Sequence, residues 1–285
     1  MAREVNEWFA ANRRDLPWRA PDFGAWGILV SEIMLQQTPV ARVIPRLALW
    51  LERWPTPAAL AASPPGDAVR AWERLGYPRR ALRLHAAAVA ITEQHGGVVP
   101  SDVDQLLALP GIGDYTARAV AAFAFGLRHP VVDTNVRRVI ARAIDGNAEA
   151  GPPSTRKDLA AMEALLPHSV EDARLFNAGM MELGAIACTA RAPRCDACPL
   201  ADSCRWRAEG YPPYDGRRAV VQAKFDGSDR QVRGLIMAEL RASDIPVSIA
   251  EIDTVWPDAV QRDRALAGLL ADGLAVAVPG GYELP

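Results

Sequence analysis

The sequence predicts an all-α architecture of two helical domains with a small winged-helix-like segment appended, and three observations carry that prediction. Half of the 285 residues are apolar, Ala and Leu dominate, and strand-favouring Tyr, Phe and Thr are sparse. Apolar residues recur at helical spacing in segments punctuated by Pro and Gly. Only near the C-terminal end does the period shorten to that of a strand.

Taken in order, residues 1–12 read as an amphipathic helix. Helices follow over 26–37, 40–54, 58–62, 67–75, 79–95, 103–107 and 114–125, which make one helical bundle. A second helical group spans 134–182, and a cysteine-bearing segment ends near 206. GYPPYDG at 210–216 has the composition of a linker, taken as 211–227. Beyond it, helices over 228–240, 248–256 and 258–271 precede LAVAV (274–278), a PGG turn and a second short strand at 282–284. Three helices and a hairpin over 228–285 resemble a winged helix, a shape that serves either DNA binding or protein contact.

Composition excludes little and supports no DNA-binding claim by itself. Lys and Arg number 32 against 34 acids, for a net charge of −2, which says little about partners. Arg greatly outnumbers Lys, which suits phosphate contacts and equally reflects a GC-rich coding bias. No stretch approaches the roughly 18 apolar residues of a membrane span, and residues 1–12 have no leader character, so a cytosolic protein is expected. In that reducing compartment the four cysteines are expected to hold a metal centre rather than disulfides.

Cys188, Cys195, Cys198 and Cys204 follow C-x6-C-x2-C-x5-C, and the chain has no others. Structural zinc usually takes two separated C-x2-C knuckles, whereas one compact cysteine loop suits a four-iron, four-sulfur cube. Pro193 and Pro199 stiffen the loop, and Arg191, Arg194 and Arg205 flank it, either to meet phosphates or to solvate a surface.

Residues 101–125 read as helix, tight turn, helix. Ser101 and Asp104 suggest a capping box, and LPGIGDYTA (109–117) puts Gly111 and Gly113 where the chain reverses. Such a turn exposes backbone N–H groups at a helix N-terminus to a phosphate, or simply lets two helices pack closely. Glu32 lies in WGILVSEIMLQQT (26–38), off an apolar stripe of Trp26, Leu29, Val30, Ile33 and Met34. Apolar neighbours would raise its pKa as a general acid requires, while a surface or salt-bridged glutamate is the alternative. Asp133 precedes a helical segment, where an N-cap is the plain reading.

Together these motifs resemble the MutY and endonuclease III families of helix-hairpin-helix DNA glycosylases over residues 1 to about 210. The matching pieces are LPWR (16–19), SEIMLQQT (31–38), LGY (75–77), LPGIGDYTA, VVDTNV (131–136), MELGAIACT (181–189) and the cysteine loop, in that order. The resemblance implies a helix-hairpin-helix glycosylase fold with residues 1–23 and 133–210 as an iron-sulfur cluster domain and 24–132 as the hairpin-bearing bundle. It implies one 4Fe-4S cluster on the four cysteines, and a monomer on double-stranded DNA containing A:8-oxoG or A:G mispairs, associated with the nucleoid.

The resemblance also implies roles. Glu32 matches the MutY catalytic acid and Asp133 the superfamily's essential aspartate, with Tyr115 and Asn135 tuning the pair. Tyr115 stands where endonuclease III has a lysine that attacks the sugar, so base hydrolysis without efficient strand cleavage is expected. Leu16, Trp18, Arg19, Gln37, Tyr77, Gly111 and Gly113 fall at DNA or base contacts, Gln37 and Tyr77 as wedges for base flipping. Several positions depart from the MutY pattern: Pro78 follows Tyr77, Ala178 replaces an adenine-holding residue, Thr134 replaces a Gly, and the tail is too short for a NUDIX-like domain. Removal of thymine or uracil opposite guanine, or damage binding without catalysis, are the competing readings.

Overall fold

The computed structural model describes residues 1–217 and 224–285; residues 218–223, inside the expected linker 211–227, lie outside the described residues. In chain order the elements are α1 (Ala2–Asn12), a 3-10 turn (Pro17–Arg19), α2 (Gly24–Leu35), α3 (Val40–Arg53), α4 (Pro57–Ala61), α5 (Pro65–Trp72), α6 (Arg79–Gln94), α7 (Val103–Ala108) and α8 (Asp114–Phe125). They continue with α9 (Thr134–Ala143), α10 (Thr155–Glu163), α11 (Val170–Ile186), a 3-10 turn (Cys195–Ala197), α12 (Arg205–Ala208), α13 (Asp229–Ala242), β1 (Val247–Ser248), α14 (Ile249–Thr254), α15 (Ala259–Ala271), β2 (Val276–Val278) and β3 (Gly281–Glu283). The fold is mostly helical, as expected.

The chain divides into two compact units, the first made of Met1–Leu29, Ser101–Leu107 and Ile112–Val220, the second of Val30–Pro100, Ala108–Gly111 and Val221–Pro285. The division differs from the expected domains: residues 24–29, residues 101–107 and helix α8 fall with the cysteine-bearing part rather than with the bundle, and the C-terminal segment falls with the bundle rather than apart from it.

In the first unit, Val5, Val136, Ile140, Phe176, Met180 and Leu183 form a core with Cys188, Cys198 and Cys204 packed at its margin. Two glycines of α11 set the helix approaches. A Cβ on Gly179 would stand 2.7 Å from Val5 Cγ1 of α1, and one on Gly184 would stand 2.6 Å from Asn135 Cβ of α9. In the second unit, Trp50 packs edge-on against Trp54 and Trp72, with ring centroids 4.6 and 5.6 Å apart. Such pairs add roughly 0.5–1.5 kcal/mol each beyond the area they bury.

The tail is a three-stranded antiparallel sheet in the order β1-β3-β2 with α13, α14 and α15, a winged-helix-like arrangement. Strand β1 was missed by period because two residues carry none; Gly281 admits it, since a Cβ there would fall 2.1 Å from Val247 O. Ser248 and Glu251 form a capping box at the start of α14. No helix among the described residues is long and apolar enough to cross a membrane.

Candidate active site

In the first unit the chemistry is organised by α9. Asp133 is its N-cap: Oδ1 accepts from Val136 N at 2.7 Å, and Oδ2 accepts from Asn135 Nδ2 at 2.7 Å. Burial pushes the Asp133 carboxyl above the usual range, against these hydrogen bonds and the charge of Arg138, which hold it down. The result is a carboxylate oriented by two donors in a place where its charge is poorly hydrated.

Asn135 is fixed in turn, accepting from Arg138 Nη2 at 2.8 Å, and Arg138 also donates to Cys188 O at 2.8 Å and Gly184 O at 2.6 Å. One turn on, Arg142 donates to Thr189 O at 2.7 Å and Ala190 O at 3.1 Å, places Nη1 3.5 Å from Cys188 Sγ, and stacks over the Trp206 ring. Helix α9 thus runs from Asp133 to the cysteine loop, with a polar side chain anchored at each step.

All four cysteines are free of disulfides and line one cavity with Arg142, Pro193, Arg194 and Trp206. Among the described residues no three His, Cys, Asp or Glu side chains converge as a lone ion needs. Four cysteines around one shared space are the ligand set that a 4Fe-4S cluster takes. Burial chiefly, and then Cys188, Cys204 and Cys195, push the Cys198 thiol up to about 11, against a hydrogen bond from the Leu200 backbone. Only a strongly positive occupant makes four thiolates stable there.

Tyr115 is half-buried and packs against Ala119, Ala122 and Val131. Gly113 is the N-cap of α8 with an ordinary φ of −107° and nothing within 4 Å of a built Cβ. Leu16 is buried and Trp18 half-buried. Arg19, expected on DNA, is instead turned to Glu182: with Arg14 it grips that buried carboxylate, Nη2 to Oε2 at 2.9 Å and Arg14 Nη2 to Oε2 at 2.8 Å. The LPWR and MELGA motifs are therefore two halves of one ion cluster. Burial taxes the Glu182 charge, but bonds from Arg14 and Arg19 prevail and hold it down to about 2. The loop arginines are likewise engaged in part, Arg194 with Ile186 O and Arg205 with Glu209.

The second unit holds the remaining expected residues. Glu32 is 4 % exposed, so the surface alternative fails. Residues Ile28 through Met34 are all buried, so α2 is covered all round and has no single apolar stripe. Gly111 has a φ of +77°, and a Cβ there would stand 2.6 Å from Arg83 Cβ; of the two hairpin glycines it alone needs to be glycine. Back in the first unit, Asp102, rather than Ser101, caps α7, accepting from Asp104 N and Gln105 N at 3.1 and 3.0 Å.

Gln37 and Tyr77, the two expected wedges, are both exposed and both left-handed, with φ of 54° and 49°. Arg80 ties their segments together, donating to Ile33 O, Gln36 O and Gly76 O at 2.9, 2.5 and 3.0 Å. Burial lowers this guanidinium to about 10. Sequence reasoning missed Arg80, Arg138, Arg142, Asn177 and Glu182. The spacing of Asp133, Arg138 and Arg142 along α9 was the one legible signal among these, since it puts arginines on the helix that also carries the aspartate. Asn177 is fully buried, accepting from Val131 N at 2.9 Å and donating to His129 O at 3.0 Å, and so fixes the extended approach to Asp133.

A family model described as HhH-GPD superfamily base excision DNA repair protein matches residues 30–163, and one described as the iron-sulfur binding domain of endonuclease III matches residues 188–204. The chain is 55% identical over 280 residues to an adenine DNA glycosylase of Mycobacterium tuberculosis (strain CDC 1551 / Oshkosh), covering 98% of this chain and 91% of that protein. It is 56% identical over 272 residues to an adenine DNA glycosylase of Mycolicibacterium smegmatis, covering 95% and 91%. Among solved structures, a thermostable thymine-DNA glycosylase superposes with a TM-score of 0.66 at 28% identity, covering 73% of this chain and 95% of that one.

Proposed function

Because this chain belongs to the HhH-GPD superfamily of base excision DNA repair proteins, we propose that it hydrolyses the N-glycosidic bond of adenine mispaired with 8-oxoguanine or guanine, without efficient strand cleavage. That it is a DNA glycosylase acting on adenine rests on the full-length likeness to the mycobacterial enzymes, the single observation that carries the reading. It acts on DNA and holds a 4Fe-4S cluster on Cys188, Cys195, Cys198 and Cys204.

In this reading Glu32, protonated, donates to a ring nitrogen of the flipped adenine, and a buried carboxyl suits that task. Asp133 stabilises the oxocarbenium sugar; its two fixed hydrogen bonds leave it oriented and its burial strengthens its field. Glu32, once ionised, activates the water that completes hydrolysis. Asn135 orients Asp133, and Tyr115, which has no amine, offers no Schiff base and so no lyase step. Gln37 and Tyr77 wedge the duplex, supported by exposure and by left-handed backbone, a strain typical of functional positions. Gly111, Gly113 and the start of α8 receive a phosphate, with Leu16, Trp18 and Arg19 supporting the site; for Arg19 that support runs through Glu182. Cys188, Cys195, Cys198 and Cys204 would hold the cluster, which would cross-link the loop and offset part of the charge of the four thiolates. The protein works as a monomer in the cytoplasm, on the nucleoid.

The test is a panel of duplexes with A, T or U opposite 8-oxoguanine and guanine. Release of adenine alone is the expected outcome; release of T or U without A would transfer the assignment to the thymine class, which the structural likeness makes the informative rival. Glu32→Gln should bind mismatched DNA yet lose base release by at least about 100-fold.

A further inference from the structure

The loop between α5 and α6 is held in an unusual way. Glu73, Gly76 and Tyr77 all have positive φ, at 44°, 83° and 49°, so the backbone of this short turn is strained at two non-glycine residues. Its carbonyls are satisfied by side chains. Glu73 O accepts from Arg241 Nη1 at 2.6 Å, Arg74 O from Arg42 Nη2 at 2.6 Å, Leu75 O from Thr38 Oγ1 at 3.2 Å, and Gly76 O from Trp72 Nε1 at 2.9 Å. Arg42, Thr38 and Trp72 come from the helical bundle; Arg241 comes from α13, in the C-terminal segment.

A second tie from that segment lies on the other side of the turn. Asp272, which ends α15, pairs with Arg79 Nη1 at 3.1 Å, two residues beyond Tyr77, and is itself held by Arg233. The segment is anchored independently. Arg70 of α5 donates to Ser243 O at 2.7 Å and Arg241 O at 3.3 Å, and Gly66 N donates to Pro285 O at 2.5 Å. Arg241 is thus gripped through its own carbonyl by the helix whose exit it holds.

We propose that the winged-helix-like segment is a clamp on the Tyr77 turn, with Arg241 and Asp272 as positioning residues that keep Tyr77 presented for insertion into the duplex. This role rests on the reading of Tyr77 as a wedge. It gives the segment a task in base flipping that requires no DNA contact of its own. Without the two ties, the strained turn relaxes and Tyr77 spends less time in the inserting geometry, so flipping slows while a base already out of the stack is cleaved as before.

The experiment uses the full cluster-loaded chain carrying Arg241→Met, Arg241→Lys and Asp272→Asn, each also combined with Tyr77→Ala. Single-turnover base release is measured on a paired mismatch and on a duplex with the target base in a bulge. Arg241→Met should slow release about tenfold on the paired duplex and less than about twofold on the bulge, with Arg241→Lys restoring part of the rate. In the Tyr77→Ala background the same substitutions should cost nothing further, because both changes act through one group. Equal slowing on both duplexes, or additive effects with Tyr77→Ala, would overturn the clamp while leaving the wedge intact. A Tyr77→Ala enzyme with full activity on the paired duplex would overturn the wedge reading and the clamp with it. Asp272→Asn repeats the test should Arg241→Met fail to load its cluster.

Discussion

Asp133 carries two demands that pull its acidity apart. As the cap of α9 it accepts a backbone N–H, which favours the ionised form, while burial favours the neutral one and prevails. In the proposed mechanism its carboxyl must be ionised to stabilise a sugar cation, so base release should fail on the acid side as pH drops through a value above the ordinary aspartate range. Asn135→Ala removes one of the bonds that hold the carboxyl down, so the acid limb of the single-turnover pH profile should move to higher pH, with a lower plateau. An unmoved limb would assign that limb to another group. Glu182 is the opposite case. Its pKa is held to about 2, so it contributes stability above about pH 4.5 that is lost as pH falls toward 2. Glu182→Gln should cost about 2–3 kcal/mol at neutral pH, discounted because Arg14 and Arg19 stay partly solvated, and the gap in melting temperature from the parent should close in acid. At this scale the motifs made Glu32, Asp133 and the cysteines legible, because each is a distinctive residue in a local pattern. Arg80, Asn177 and Glu182 were not, since their importance lies in carbonyls and arginines from 40 or more residues away in most of their contacts.

Close backbone approaches at glycines help to place the elements. Helix α5 meets the chain's end where Gly66 lies under Leu284 and Pro285, and a Cβ there would stand 2.5 Å from Pro285 O. Gly66→Ala should therefore loosen the C-terminal strand from α5 at a cost of about 1–3 kcal/mol, visible as faster amide exchange over β3 with α9 unchanged. Equal exchange in both proteins would show that α15 and Arg70 suffice to hold the segment. Helix positions were readable because Pro and Gly punctuate a strong period, as at Pro78 before α6 and Gly126 after α8. The association of the C-terminal segment with the bundle was not. It depends on Arg70, Arg241 and Gly66, whose hydrogen bonds run to backbone atoms and leave no periodic trace. The same limit explains α2, read as a striped helix: period reports a helix with one dry face, and α2 is dry on all of them.

At the scale of the whole molecule, much of the positive charge among the described residues is already committed. The net charge is −2, and many arginines are committed to acids: Arg128 to Glu163, Arg137 to Asp158, Arg262 to Asp253 and Arg264 to Asp229. Others are committed to carbonyls, as Arg80, Arg138 and Arg142 are. On the proposed function, the chain holds DNA through a few placed contacts, with the amides at the start of α8 and the cysteine loop as the candidates, rather than through a broad basic field. Its affinity for mismatched duplex should then fall with salt on a shallow slope, equivalent to about three to five phosphates. Cys198→Ser extends the argument to the loop. Loss of the cluster removes the positive centre that the buried thiolates require, so iron-sulfur absorbance should vanish and the DNA affinity should fall, with the salt slope shrinking by about one phosphate. An unchanged slope alongside weakened binding would mean that the loop supports the fold of α9 without touching DNA, and would place the phosphate contacts in the hairpin alone.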